Sequence, residues 1–150
     1  RFNTLGRDLN RNWDGPADPL LAPENAALES WLEREIASGR PPALAIDLHN
    51  DSSGQLHVGP DTPERHRCVA ELRRLEELLR THTWFTEGSH DPGNPESLGE
   101  ALYGRYGIVG CTYELNANWA AGLNRRPLGA DWMMLGRRLP EVFADYCRGL

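Results

Sequence analysis

The chain has 150 residues, 39% of them hydrophobic and 25% charged, which is the profile of one soluble globular domain long enough to bury a core. A formal net charge of -6 argues against a nucleic-acid surface, which needs a basic face, and no apolar run approaches a membrane span. Three widely spaced cysteines, Cys68, Cys111 and Cys147, make neither a CxxC zinc pattern nor a disulfide framework, which points to a reducing, cytoplasmic compartment. The sequence starts at Arg1 without a methionine, so any targeting signal of the natural N-terminus is expected to lie outside it.

The opening stretch GRDLNRNWDG (6–15) has no period of 2 or 3.6, since Leu9 and Trp13 alone make neither pattern. It offers arginine forks and amides, groups that grip a carboxylate or phosphate, or else a solvated turn stopped by Asp14-Gly15-Pro16. Pro23-Glu24 opens a helix whose face carries Leu28, Trp31, Leu32 and Ile36 and which ends at Gly39. The run ALAIDL (43–48) has the length and apolarity of a buried strand. Thr62-Pro63-Glu64 starts a long helix with Val69, Leu72, Leu75 and Leu79 on its inner face. Residues 82–97 read as a loop, followed by a short helix over 98–103 and a second buried strand in GIVGCTYEL (107–115). From Asp131 to about Cys147 the spacing is helical again, with Pro140 expected to kink or interrupt it. The order of elements describes an α/β architecture: a mixed, mostly parallel sheet with helices on both faces, the two apolar runs being adjacent inner strands.

Two places could carry chemistry. His49 follows the first strand directly and enters the polar loop NDSSG, where ligands bind in open α/β sheets; Asp47 and Asp51 are near enough in sequence to orient its imidazole. Glu114 ends the second strand in an apolar context, where burial raises a carboxyl pKa towards the range of a general base. If the strands are parallel, both residues emerge at the same sheet edge. His57, His66, His82 and His90 lack zinc-pair spacing; His66 lies on a charged helix face, and His82 and His90 flank a loop. Neither HExxH, GxSxG, a P-loop nor a dinucleotide fingerprint is present.

Taken in order, RFNTLGRDLNRNWD, PENAALESWL, AIDLHNDSSG and GIVGCTYELN resemble the zinc metallocarboxypeptidases of the carboxypeptidase A type, especially their cytosolic and bacterial branch, over residues 1 to about 119. The resemblance implies that Asn10 and Arg11 bind the free α-carboxylate of a peptide, that His49 is the third zinc ligand, and that Glu114 is the general base. It further implies that Asp8 supports a zinc-bound histidine from behind and that Arg1 polarises the scissile carbonyl. Trp13 is expected to pack beneath the loop. The HxxE motif that supplies the family's other two zinc ligands is not in these residues, and the family's mobile-loop tyrosine has no counterpart, with Tyr103 and Tyr106 only nearby.

The expected reaction is zinc-dependent hydrolysis of an amide bond beside a free carboxylate, removing C-terminal amino acids from peptides. The alternatives are an N-acyl amino-acid deacylase of the aspartoacylase or succinylglutamate desuccinylase kind, and a non-catalytic carboxylate-binding module. The 150 residues are expected to be the C-terminal part of a single catalytic domain, inactive alone, with an incomplete Zn2+ site and a tendency to self-associate through exposed sheet surface.

Overall fold

Helices and short strands alternate in the computed structural model, which describes residues 2–90 and 94–149. In chain order these are α1 (Pro23–Ala37), β1 (Ala45–His49), β2 (Leu56–His57), α2 (His66–His82), β3 (Ser89–His90), α3 (Leu98–Tyr106), β4 (Gly110–Glu114) and α4 (Gly129–Arg148), with one 3-10 turn at Ala121–Leu123. The strands form one open sheet in the order β1-β4-β2-β3. β1 runs parallel to β4 and β2 parallel to β3, while β2 and β4 are antiparallel, which is the mixed, mostly parallel sheet expected.

Register sorts the side chains. Asp47 lies opposite Thr112 and His49 opposite Glu114, and His57 is also paired with Thr112. Because strand side chains alternate, Asp47, His49, His57, Thr112 and Glu114 share one face, and Ile46, Leu56, Cys111 and Tyr113 share the other. The apolar face packs against Leu72, Leu75 and Leu79 of α2 and Val142 and Tyr146 of α4. Near its start the sheet meets α1 and α3 through Leu32, Leu102 and Ile108. Helices therefore cover both faces.

Several boundaries differ from the sequence reading. Strand β1 is adjacent to β4 but is an outer strand, and Leu48 is 57% exposed beside an apolar groove lined by Ile46, Tyr113, Leu139 and Phe143. Apolar residues on both faces of a strand do not by themselves supply a neighbour on both edges. On α1, Leu28 and Trp31 face out while Asn25, Glu29 and Leu32 are buried. The helix turns a polar side inward because that side holds the opening loop. Helix α2 begins three residues after Pro63, since 63–65 form a turn closed by Arg65 N–H to Thr62 O at 2.9 Å. Helix α4 continues through Pro140. The carbonyl that loses its partner there belongs to Gly136, which is exposed, so water can bond it. Two-residue strands such as β2 and β3 are too short to leave a period in sequence.

The approach of α3 to β4 depends on Gly99. A Cβ there would lie 2.6 Å from the Cys111 carbonyl carbon and 2.7 Å from Thr112 N, both backbone atoms that cannot turn away. Gly99→Ala is therefore expected to push α3 off β4 and to cost about 1–3 kcal/mol, the usual range for overpacking. Urea unfolding of the variant with an unchanged midpoint would contradict this close packing.

Candidate active site

The segment DLNRNW has no regular structure of its own and is held from outside. Asn25 of α1 donates its Nδ2–H to Leu9 O at 3.1 Å, and Trp13 donates its indole N–H to the same carbonyl at 2.8 Å. Arg105 of α3 donates to Trp13 O at 2.9 Å and to the Glu29 carboxylate, which also accepts from Ala17 N–H at 2.8 Å. Trp13 is only 3% exposed, packed beneath the loop as expected. These contacts explain why Asn25 and Glu29 are buried: each satisfies a backbone group of a loop that cannot satisfy itself. Asp8 accepts from Asn10 N–H at 3.1 Å, a contact within its own loop.

Asn10 is fixed at both ends of its amide. Its Oδ1 accepts from Leu98 N–H at 3.0 Å, at the start of α3, which directs Nδ2 to the His49 ring, 3.0 Å from Nε2. Asp47 Oδ2 lies 2.9 Å from the same Nε2. One ring nitrogen cannot both donate and accept. Donation to the carboxylate is the stronger choice, because charge-assisted hydrogen bonds are roughly twice as strong as neutral ones. Nε2–H then belongs to Asp47, and the lone pair of the neutral ring is on Nδ1, which makes no hydrogen bond among the described residues. A carboxylate that fixes the tautomer of an imidazole in this way is a regular support of metal-binding histidines.

Asn10, Arg11, His49, His57, Thr112 and Glu114 line one polar cavity of about 200 Å3. Four residues singled out in the sequence thus meet across more than one hundred positions of chain. Arg11 donates to Asn10 O at 2.6 Å. Glu114 is 8% exposed, and its Oε2 is buried without a hydrogen-bond partner. Burial, and then the nearby Asp51 carboxylate, push the Glu114 carboxyl above its ordinary value, with His49 pulling the other way. Arg1 lies outside the described residues.

His57 was passed over in the sequence because it has no partner at a ligand spacing. Its place is set by the pairing of β2 with β4, which puts it on the face of Thr112 and Glu114. Its Nε2 is buried without a partner, and its ring stands edge-on to His90 at 4.9 Å. Burial, then His90, hold the His57 imidazole below its ordinary value, against the pull of Asp51. Asp51 works differently from the sequence reading: it joins His57 and Glu114, while Asp47 orients His49. Burial works against ionisation of Asp51, but hydrogen bonds from Gly54 and Ser53 together hold its pKa below the ordinary value. Of the other histidines, His66 is exposed against Asp61, and His82 bonds Asp145 of α4 at 2.8 Å. No helix is long and apolar enough to cross a membrane among the described residues.

No family model matches the sequence, and no curated protein does. Solved structures do match the fold. A metallo-carboxypeptidase from Burkholderia cenocepacia superposes with a TM-score of 0.76 at 19% identity, over 99% of this chain and 40% of that one. A metallo-carboxypeptidase from Pseudomonas aeruginosa, in complex with (2-guanidinoethylmercapto)succinic acid, superposes with a TM-score of 0.65 at 21% identity, over 95% of this chain and 39% of that one. The chain spans about two fifths of the length of these structures and, over that span, has the fold of the metallo-carboxypeptidases.

Proposed function

We propose that the chain is the C-terminal part of a zinc carboxypeptidase-like catalytic domain that removes C-terminal amino acids from peptides in the cytoplasm. The observation that carries this reading is the single cavity shared by Asn10, Arg11, His49 and Glu114, a carboxylate clamp beside a potential metal ligand and a buried base. The residues fit zinc: His49 has its Nε2–H tied to Asp47 and its other nitrogen bare for the ion, and the unpartnered Glu114 oxygen is left for a water beside it. His49 would hold the ion together with ligands from the rest of the larger unit. Bound zinc would polarise the scissile carbonyl and acidify a water.

The chain's own residues do the remainder. Arg11 presents a planar fork to the terminal carboxylate, and Asn10 adds a donor held in place by Leu98 N–H. That grip sets which amide bond lies against Glu114. The buried carboxylate of Glu114, short of hydrogen bonds, accepts a proton from water and returns it to the departing amine. A structure of the same fold in complex with a succinic acid derivative supports carboxylate recognition. Cys68, Cys111 and Cys147 are free thiols, in keeping with a reducing compartment.

Kinetics of the complete enzyme test the clamp. Peptides with a free C-terminus should be hydrolysed and their C-terminal amides spared, and Arg11→Lys should lower kcat/KM about tenfold or more, as expected for losing a charge-assisted hydrogen bond of about 1.5–3 kcal/mol. Equal turnover of free and amidated peptides would remove the clamp, and preferential turnover of N-acyl amino acids would move the protein to the deacylases.

Glu114→Gln should lower kcat by about 10²–10⁴ with the metal retained. The same variant should be more stable than the wild type at neutral pH. The folded-state pKa of Glu114 lies above its ordinary value of 4.5, so the folded chain binds the proton more tightly. Stability is therefore lost as pH rises through that window, and the penalty persists above it. Thermal melts should show the advantage of the glutamine shrinking as pH falls towards 4.5. A variant less stable at neutral pH would mean that the carboxylate is satisfied in the fold.

A further inference from the structure

Outside the cavity, Arg105 of α3 and Glu29 of α1 form an ion pair whose side chains are 18% and 8% exposed. The pair brackets part of the opening loop. Arg105 Nη1 donates to Trp13 O at 2.9 Å, and Glu29 Oε2 accepts from Ala17 N–H at 2.8 Å, so Asp14-Gly15-Pro16 is held at both ends. The other arm of the guanidinium donates to the Tyr106 hydroxyl at 2.8 Å, with Cζ 4.8 Å from the centroid of that ring. Trp13 N–H is bonded in turn to Glu96 O at 3.1 Å. Just before this anchored tryptophan, Asn12 has a φ of 62°, a left-handed backbone that asparagine tolerates better than most residues and that surrounding contacts must sustain. Asn10 and Arg11 directly precede it. A buried ion pair adds little net stability over an apolar pair of similar volume, because desolvation offsets the attraction, so its distinctive contribution is direction.

We infer that the Arg105–Glu29 pair is a positioning device for the carboxylate clamp, and that it sets how far a free terminal carboxylate is preferred over its amide. By fixing Trp13 O and Ala17 N–H, the pair keeps Asn12 left-handed. Released, Asn12 would relax toward negative φ and turn the Arg11 fork and the Asn10 amide away from their present directions. A misdirected fork loses the two-point grip that distinguishes a carboxylate from an amide. Arg105→Lys would keep the charge, but an ammonium on a flexible stem cannot hold Trp13 O, Glu29 and the Tyr106 hydroxyl in one planar arrangement. This positioning role presupposes the clamp reading of Asn10 and Arg11, and it belongs to residues that do not line the cavity.

The complete enzyme is compared with its Arg105→Lys and Glu29→Gln variants on one peptide with a free C-terminus and on the C-terminal amide of that peptide. In each variant KM for the free acid should rise about tenfold while kcat falls less than about threefold, the pattern of lost ground-state grip. The ratio of kcat/KM for free acid to that for amide should shrink about tenfold as well. Crystal structures of the variants should show Asn12 out of the left-handed region and Asn10 Nδ2 beyond hydrogen-bond distance of the His49 ring. Circular dichroism and melting control for folding, and Glu29→Gln, which nearly conserves shape, decides the matter if Arg105→Lys fails to fold. A pair with a purely structural role would lower the melting temperature and leave the free-acid to amide ratio at its wild-type value. That outcome overturns the positioning role, as does a variant structure with Asn10, Arg11 and Asn12 unmoved. Wild-type enzyme that hydrolyses both peptides equally, or neither, would instead take away the clamp itself, and its support with it.

Discussion

The candidate site depends on the parallel pairing of β1 with β4. His49 reaches the cavity because its Cα partner is Glu114, with Asp47 opposite Thr112 one step back. Side chains alternate along a strand, so a slip of one residue would send His49 and Asp47 into the apolar layer of α2 and α4 and bring Ile46 and Leu48 to the polar face. The register is thus enforced by burial on one side and provides the constellation on the other. The fully buried β4 supplies the fixed frame, and the outer strand β1 is positioned against it.

The loop carrying Asn10 and Arg11 lacks such a ladder and is held by a polar lattice. Glu29 and Asn25 from α1, Arg105 from α3 and the Trp13 indole all bond loop backbone or one another. Buried polar contacts of this sort add little net stability compared with an apolar substitute, and their strength is directional. They fix where Asn10 points. Its amide oxygen is held by the start of α3 and its Nδ2 is set beside the His49 ring, so loop, helix and strand meet around one side chain. Gly99 at the same helix terminus lets α3 lie against the backbone of β4.

Around Glu114 the fold accepts unfavourable electrostatics. Its carboxylate is buried, short of a hydrogen bond and near a second carboxylate, while the His57 imidazole beside it is also desolvated. A chain selected for stability alone would fill this cavity with apolar side chains. Strain of this kind is expected where a group must remain ready to accept a proton, a cation or a substrate atom.

Much of the architecture could be read from the sequence. The apolar periods of α1, α2 and α4, the two apolar strand runs, and the strand-end positions of His49 and Glu114 are local properties of the chain, and each element formed within a few residues of its expected place. The DLNRNW stretch likewise announced itself by having polar forks and no period. What only the tertiary structure decided is pairing and direction. His57 gained its place from antiparallel pairing with Thr112, a contact between residues 55 positions apart that no local spacing encodes. The inward turn of Asn25 and Glu29 on α1, with Leu28 and Trp31 left outside, followed from the needs of a loop elsewhere in the chain. Asp51 and Asp47 are chemically alike and equally close to His49 in sequence. Alternation along β1 and the turn of the following loop gave Asp47 to the His49 ring and Asp51 to His57 and Glu114, because a side chain's partners are set by the backbone that carries it.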